Sequence, residues 1–259
     1  MSAPFNLDPP LNLKGGKTLI VDGTHSANYR LPSAALKDAG EDDQVFIRPG
    51  IYEDNIFVAD RPIHLIGAGR DQVTIFCRRR GPLNLQNVPE GVVRGITFRY
   101  VGSDPYSPMN LLDTTCSLTS CRAKEGVQSG ILVYGPTSRA SLIDNEVCGN
   151  RESGIFIFAG ARPYLRENVC YDNHHFGIAV RDAETRPDLV RNICRNNLLS
   201  GMLLFYFAEA LLLENQCYDN AQWGLVLTPD CKPSPSFGLL ITSNTLEQNP
   251  RGALFETGD

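Results

Sequence analysis

The chain has 259 residues, 42% hydrophobic and 20% charged, with four histidines and a net charge of −5 at neutral pH. That balance argues against nucleic acid or an anionic membrane surface as the main partner, because both select for excess positive charge. No apolar run is long enough for a membrane-spanning helix, and Met1-Ser-Ala-Pro-Phe-Asn6 lacks a basic stretch followed by an apolar one, so a cytoplasmic location is expected.

In chain order, the first element is a short helix near residues 33–39, within Leu31-Pro-Ser-Ala-Ala-Leu-Lys-Asp-Ala-Gly40. Ser33 is its expected N-cap and Gly40 its stop. Strands follow in Gln44–Glu53, Ile63–Gly69, Val93–Phe98 and Ser117–Cys121, each rich in β-branched or aromatic residues and bounded by turn residues. Between them, Arg78-Arg-Arg80 reads as a solvated turn or an anion site, and Arg99–Cys116 as a long irregular segment.

From residue 129 onward the sequence repeats. Five copies of Asn-x-apolar-x-x-Asn begin at Asn145, Asn168, Asn192, Asn215 and Asn244, separated by 23, 24, 23 and 29 residues. A glycine leads the following strand: Gly130, Gly154, Gly177, Gly201, Gly224 and Gly252. A fixed period of this size means a solenoid. Each unit holds three short strands, as in Gly154–Phe158, Tyr164–Glu167 and Val169–Tyr171. The expected fold is therefore all-β: a right-handed parallel β-helix with coils of about 23 residues stacked at the strand spacing. One domain is expected over 1–259, with a cap over 1–45, irregular early coils over 46–128 and regular coils over 129–259. The helix would cover the unpaired edge of the first coil.

Three apolar rows follow from the repeat. They are Leu142, Leu165, Leu189, Leu212 and Ile241; Val147, Cys170, Cys194, Cys217 and Leu246; and Ile131, Ile155, Ile178, Met202, Leu225 and Ala253. All three should point inward. The leading Asn of each copy is expected at a sharp corner in the left-handed conformation, its amide bonding the Asn one coil above.

The order helix, Asp43-Gln-Val-Phe-Ile-Arg-Pro-Gly50-Ile-Tyr-Glu53, then Gly67-Ala-Gly69 resembles the N-terminal cap of pectin-esterase-type β-helix proteins. The later coils resemble the carbohydrate-binding and sugar-hydrolase (CASH) repeats of NosD-like proteins and of certain F-box proteins. The resemblance covers nearly the whole chain and implies a fold; it fixes no chemistry. The Gln-Asp-Thr and Asp-Phe-x-Phe-Gly blocks of pectin esterases are absent. So are the polygalacturonase Asp-Asp with Gly-His-Gly, the alginate-epimerase Asp-Pro-His-Glu and an acidic calcium cluster.

No Cys-x-x-Cys occurs among the eight cysteines, so no metal site is expected, and the acid–base reading below needs no cofactor; Cys170, Cys194 and Cys217 should be buried, reduced thiols. The residues alternating with the inward row on the glycine-led strand are Leu132 and Tyr134, Phe156 and Phe158, Ala179 and Arg181, Leu203 and Phe205, Val226 and Thr228, then Leu254. A solvated face would be polar here. This strip needs covering by the 99–116 segment, by a second copy in a homodimer, or by a small-molecule or glycan ligand. Phe156, Phe158, Leu203, Phe205 and Leu132 are the candidate binding residues. Beside them, His174 and His175 are candidate acid–base groups, Arg181 a charge stabiliser, and Tyr134 and Tyr206 proton donors. The same histidines also fit a plain solvated turn. Two functions stay open: a cofactor-free lyase, isomerase or cyclase acting on a carbohydrate or other ring-bearing molecule, and a non-catalytic glycan- or protein-binding module.

Overall fold

The computed structural model describes residues 15–24, 27–231 and 243–256. Within them the chain winds as a right-handed parallel β-helix. Three parallel sheets of nine, eight and nine strands run along its length. One regular coil shows the path: Tyr164–Arg166 in the first sheet, Val169–Tyr171 in the second, Ile178–Arg181 in the third, then Asp188–Val190 back in the first. Each strand pairs with its equivalent one coil away, as Cys170 with Cys194 and Cys194 with Cys217.

The inward rows form the core. Leu142, Leu165 and Leu189 are fully buried, as are Val147, Cys170, Cys194 and Cys217. Ile241 lies outside the described residues. The third row holds from Ile131 to Leu225 but then shifts by one. Trp223 pairs with Gly252 and Leu225 with Leu254, so Leu254 continues the inward row in place of Ala253, which is exposed. Leu254, expected on the outer strip, is therefore replaced there by Phe255. Side chains alternate along a strand, so a one-residue offset exchanges the faces.

The corners are made by two residues acting together. The left-handed residue is the one before each of the first four leading Asn: Asp144, Glu167, Arg191 and Glu214, with φ between 52° and 56°. The Asn itself, expected in that conformation, supplies the bonds instead. Asn168 accepts from the Asn145 backbone N–H and side chain at 3.0 and 2.9 Å, and donates to Leu142 O and Asn192 Oδ1 at 2.8 and 2.9 Å. Every valence of that amide is filled. The closing Asn of each copy forms a second ladder, Asn150–Asn173–Asn197–Asn220–Asn249, at the next corner. There the glycine row matters: a Cβ on Gly177 would sit 2.6 Å from the Cys194 sulfur and 2.8 Å from Gly201 O.

Helix α1 (Pro32–Asp38) buries Pro32, Ala35 and Leu36 against the first coil. Its N-cap is Leu31, and Ser33 lies inside the first turn instead of capping it. The cap comes from a distant strand end: the Asp54 carboxylate accepts from the Ser33 N–H and hydroxyl, both at 2.7 Å. At the other end the Arg61 guanidinium donates to Leu36 O and Ala39 O. Both charges suit the helix dipole.

Candidate functional site

The outer face of the third sheet carries two rows of side chains in register. One row runs Phe57, Asn84, Asn110, Leu132, Phe156, Ala179, Leu203, Val226, Phe255. The other runs Ala59, Gln86, Leu112, Tyr134, Phe158, and Arg181 and Phe205 pair within it further on. The face thus divides into an amide-rich half over the early coils and an aromatic half over the later ones.

The early half is concave. A cavity of about 390 Å³ is floored by Asn84, Gln86, Asn110 and Leu112 and walled by Asn55, Phe57, Arg80, Tyr106 and Tyr134. The amides form an exposed ladder: Asn110 donates to Asn84 Oδ1 at 3.0 Å, and Asn84 and Asn55 each donate to Gly81 O at 2.6 Å. These bonds fix the amide planes without exhausting them. Asn110 Oδ1 and the Gln86 amide have no hydrogen-bond partner among the described residues, and both residues line the cavity. Tyr106 comes from the 99–116 segment. Its carbonyl accepts from the Val127 and Gln128 N–H groups, and its ring meets Tyr100 edge-on at 5.8 Å. That segment, expected to be irregular and one of the covers offered for the apolar strip, builds one wall of the groove and, through its strand Met109–Leu112, part of the floor.

The aromatic half packs along itself. Tyr134 stacks on Phe158 at 5.1 Å, Phe158 meets Phe156 at 5.0 Å, and Phe156 reaches Phe205 at 6.3 Å, across the coil that carries Ala179. Ala179 faces outward in register yet is buried. The Arg181 guanidinium lies 5.3 Å from both the Phe156 and Phe158 ring centres, and its Nε is 3.1 Å from Asp182 Oδ1. Thr228, beyond the strand, turns to Asp230. Leu132, Phe156, Phe158, Leu203 and Phe205 are all half-buried, so mutual stacking covers much of the strip without a lid.

The candidate catalytic groups are not gathered together. Tyr134 and Arg181 end their strands and Tyr206 follows the end of Met202–Phe205; His174 and His175 precede the strand Ile178–Arg181, so its full length separates them from Arg181. Both histidines are exposed, and His175 packs edge-on to Phe176 at 6.4 Å. Burial, then the nearby Asp113 carboxylate, raises the Tyr134 pKa above its ordinary value, which keeps the phenol protonated as a hydrogen-bond donor. Among the described residues, no three His, Cys, Asp or Glu side chains gather as metal ligands, and no helix is long and apolar enough to cross a membrane.

A second cavity, of about 440 Å³, lies at the cap, but its polar groups are engaged: Tyr29 with Asp38 at 3.1 Å, Arg48 with Asp22 at 3.0 Å, and Asp43 with the Lys17 and Gly40 N–H groups at 2.7 and 2.8 Å. The groove on the third sheet carries the amides of Asn84, Gln86 and Asn110.

Residues 76–259, well over half of the chain, match the family model described as the right handed beta helix region. The chain belongs to the right-handed β-helix family. None of the curated proteins matches this β-helix. Among solved structures it is similar to the catalytic domain of a GH87 α-1,3-glucanase in complex with nigerose, with TM-score 0.58 and 15% identity over 98% of this chain. It spans about half of that domain, 47% of its length. It is also similar to pectin methylesterase from carrot, with TM-score 0.60 and 12% identity, covering 97% of this chain and 91% of that one. At such identities the likeness is one of fold.

Proposed function

We propose that this β-helix binds a neutral glycan along the outer face of its third sheet. The observation that carries the reading is the groove: an amide ladder with open donors and acceptors, set between the rings of Phe57, Tyr106 and Tyr134. Sugar hydroxyls need paired donors and acceptors, and the apolar face of a pyranose suits an aromatic ring. The two similar structures, a glucanase bound to nigerose and a pectin methylesterase, add support. Binding is favoured over lyase, isomerase or cyclase chemistry by the composition of the groove. Its titratable side chains are Arg80, Tyr106 and Tyr134, with no carboxylate or imidazole pair poised to move a proton at neutral pH.

Retention on immobilised nigero-, malto-, cello- and galacto-oligosaccharides tests this. At least one series should retain the protein, and Asn110→Ala should weaken that binding roughly 2- to 10-fold, the worth of one or two net hydrogen bonds. Retention by none of the four would sink the reading.

A further inference from the structure

The turn that follows the third-sheet strand Met202–Phe205 is built from two large aromatic residues in the left-handed region, Tyr206 at φ 53° and Phe207 at φ 63°. Bulky side chains are rarely found there, because the Cβ crowds the backbone. Two coils earlier the same turn is made by Ala159 at φ 55° and Gly160 at φ 78°. The two turns share one geometry: Ala161 N–H donates to Phe158 O, and Ala208 N–H to Phe205 O, both at 3.4 Å. Small residues therefore serve this turn, and the backbone does not call for aromatics. Nor does the core, since Tyr206 and Phe207 are 59% and 64% exposed. Strained, exposed and unneeded for packing, the pair has the marks of a binding element.

Its position says what it meets. Tyr206 contacts Phe205 at 5.1 Å, Phe205 faces Phe156 at 6.3 Å, and Phe156 and Phe158 lead back to Tyr134, the wall of the groove. Arg181 pairs with Phe205 one coil before the platform; its Nε faces Asp182 and its guanidinium lies over the Phe156 and Phe158 rings. From the Asn110 coil to the Phe205 coil are four strand steps, about 20 Å.

We propose that Tyr206 and Phe207 form a distal stacking platform for the same glycan, and that Arg181, on the coil between Phe158 and Phe205, donates to hydroxyls of a sugar crossing the aromatic half. This rests on the groove being a glycan site. It adds that the ligand is an oligosaccharide long enough to reach across the aromatic half, about one sugar unit per coil.

The test replaces the turn by its own counterpart, Tyr206→Ala with Phe207→Gly, and measures affinity for two-unit and six-unit members of the nigero, malto, cello and galacto series by calorimetry. Thermal unfolding and sedimentation accompany it. The expected result is about a tenfold loss for the six-unit ligand, an unchanged two-unit affinity, and an apparent Tm that holds or rises. Equal affinity of wild type and variant for the six-unit ligand overturns the platform while leaving the groove reading intact. So does a lowered Tm, which would make the pair structural, or a wild-type dimer that the variant dissolves, which would make it a subunit contact. Binding of no series by the wild type overturns the groove reading itself, and the platform with it.

Discussion

Asparagine ladders of two kinds run through this molecule, and they do opposite work. At the corners, Asn145, Asn168, Asn192 and Asn215 are buried, and each amide is bonded above, below and to the backbone. On the outer face of the third sheet, Asn84 and Asn110 also stack but are half-exposed, with valences left over. The coil spacing permits stacking in both, but the donation runs in opposite directions: Asn145 donates forward to Asn168, and Asn110 donates back to Asn84. Burial separates their roles. A satisfied buried amide holds a left-handed corner in place; a partly satisfied exposed one is an ordered, ready-made surface for hydroxyl groups.

The largest contrast should appear in stability. Asn192→Ala removes the acceptor for the Asn168 N–H and side chain and the donor to Leu165 O, all buried. A loss of roughly 3–5 kcal/mol is expected in urea unfolding, against less than about 1 kcal/mol for Asn84→Ala. Equal losses would erase the distinction between the ladders.

The same logic separates the core from the aromatic strip. Leu165→Ala empties a fully buried site and should cost about 2–5 kcal/mol. Phe158→Ser loses stacking on Tyr134 and Phe156 and should cost about 1–2 kcal/mol, while weakening binding of long ligands. A Phe158→Ser variant as unstable as Leu165→Ala would place the strip inside the core.

Buried thiols give the interior a pH signature. Desolvation pushes Cys116 and Cys121 up to about 12, from an ordinary value of 9.0. Burial, then contact with Cys170 and Cys217, likewise raises Cys194. A thiol with a raised folded pKa stays protonated in the fold while the unfolded chain ionises. Its contribution is therefore complete below pH 9 and is lost between 9 and 12, by about 1 kcal/mol per pH unit for each thiol. Urea melts across that window should show the decline, and Cys121→Ala should flatten it. In the native state Cys170, Cys194 and Cys217 should resist thiol reagents that label the half-buried Cys77 and Cys148.

The smallest effect belongs to the histidine turn. His174→Ala and His175→Ala should leave glycan affinity unchanged within about twofold, because the length of the Ile178–Arg181 strand lies between them and Arg181. A drop of tenfold in either variant would return the turn to the site.

The sequence by itself determined the regular half of this protein. In coils of constant length, a side chain's place in the repeat is its place in space, so three apolar rows, the Asn pairs and the glycine row are readable without coordinates. That held from Ile131 to Leu225 and failed where the length changed: Gly252 looks like the next row glycine, but pairing puts it opposite Trp223. Tertiary structure alone decided the rest, because there the partners are distant or the spacing irregular. Asp54 caps one end of a helix whose own Ser33 donates to it, and Arg61 caps the other. Asn84 aligns with Asn110 after 26 residues, and Asn110 with Leu132 after 22, so no fixed period announces the exposed ladder. Tyr106 reaches the groove from a loop with no repeat at all. A glycan site needs groups converging from different coils on one surface. That convergence depends on how each irregular turn closes, which pairing between coils sets and local sequence does not.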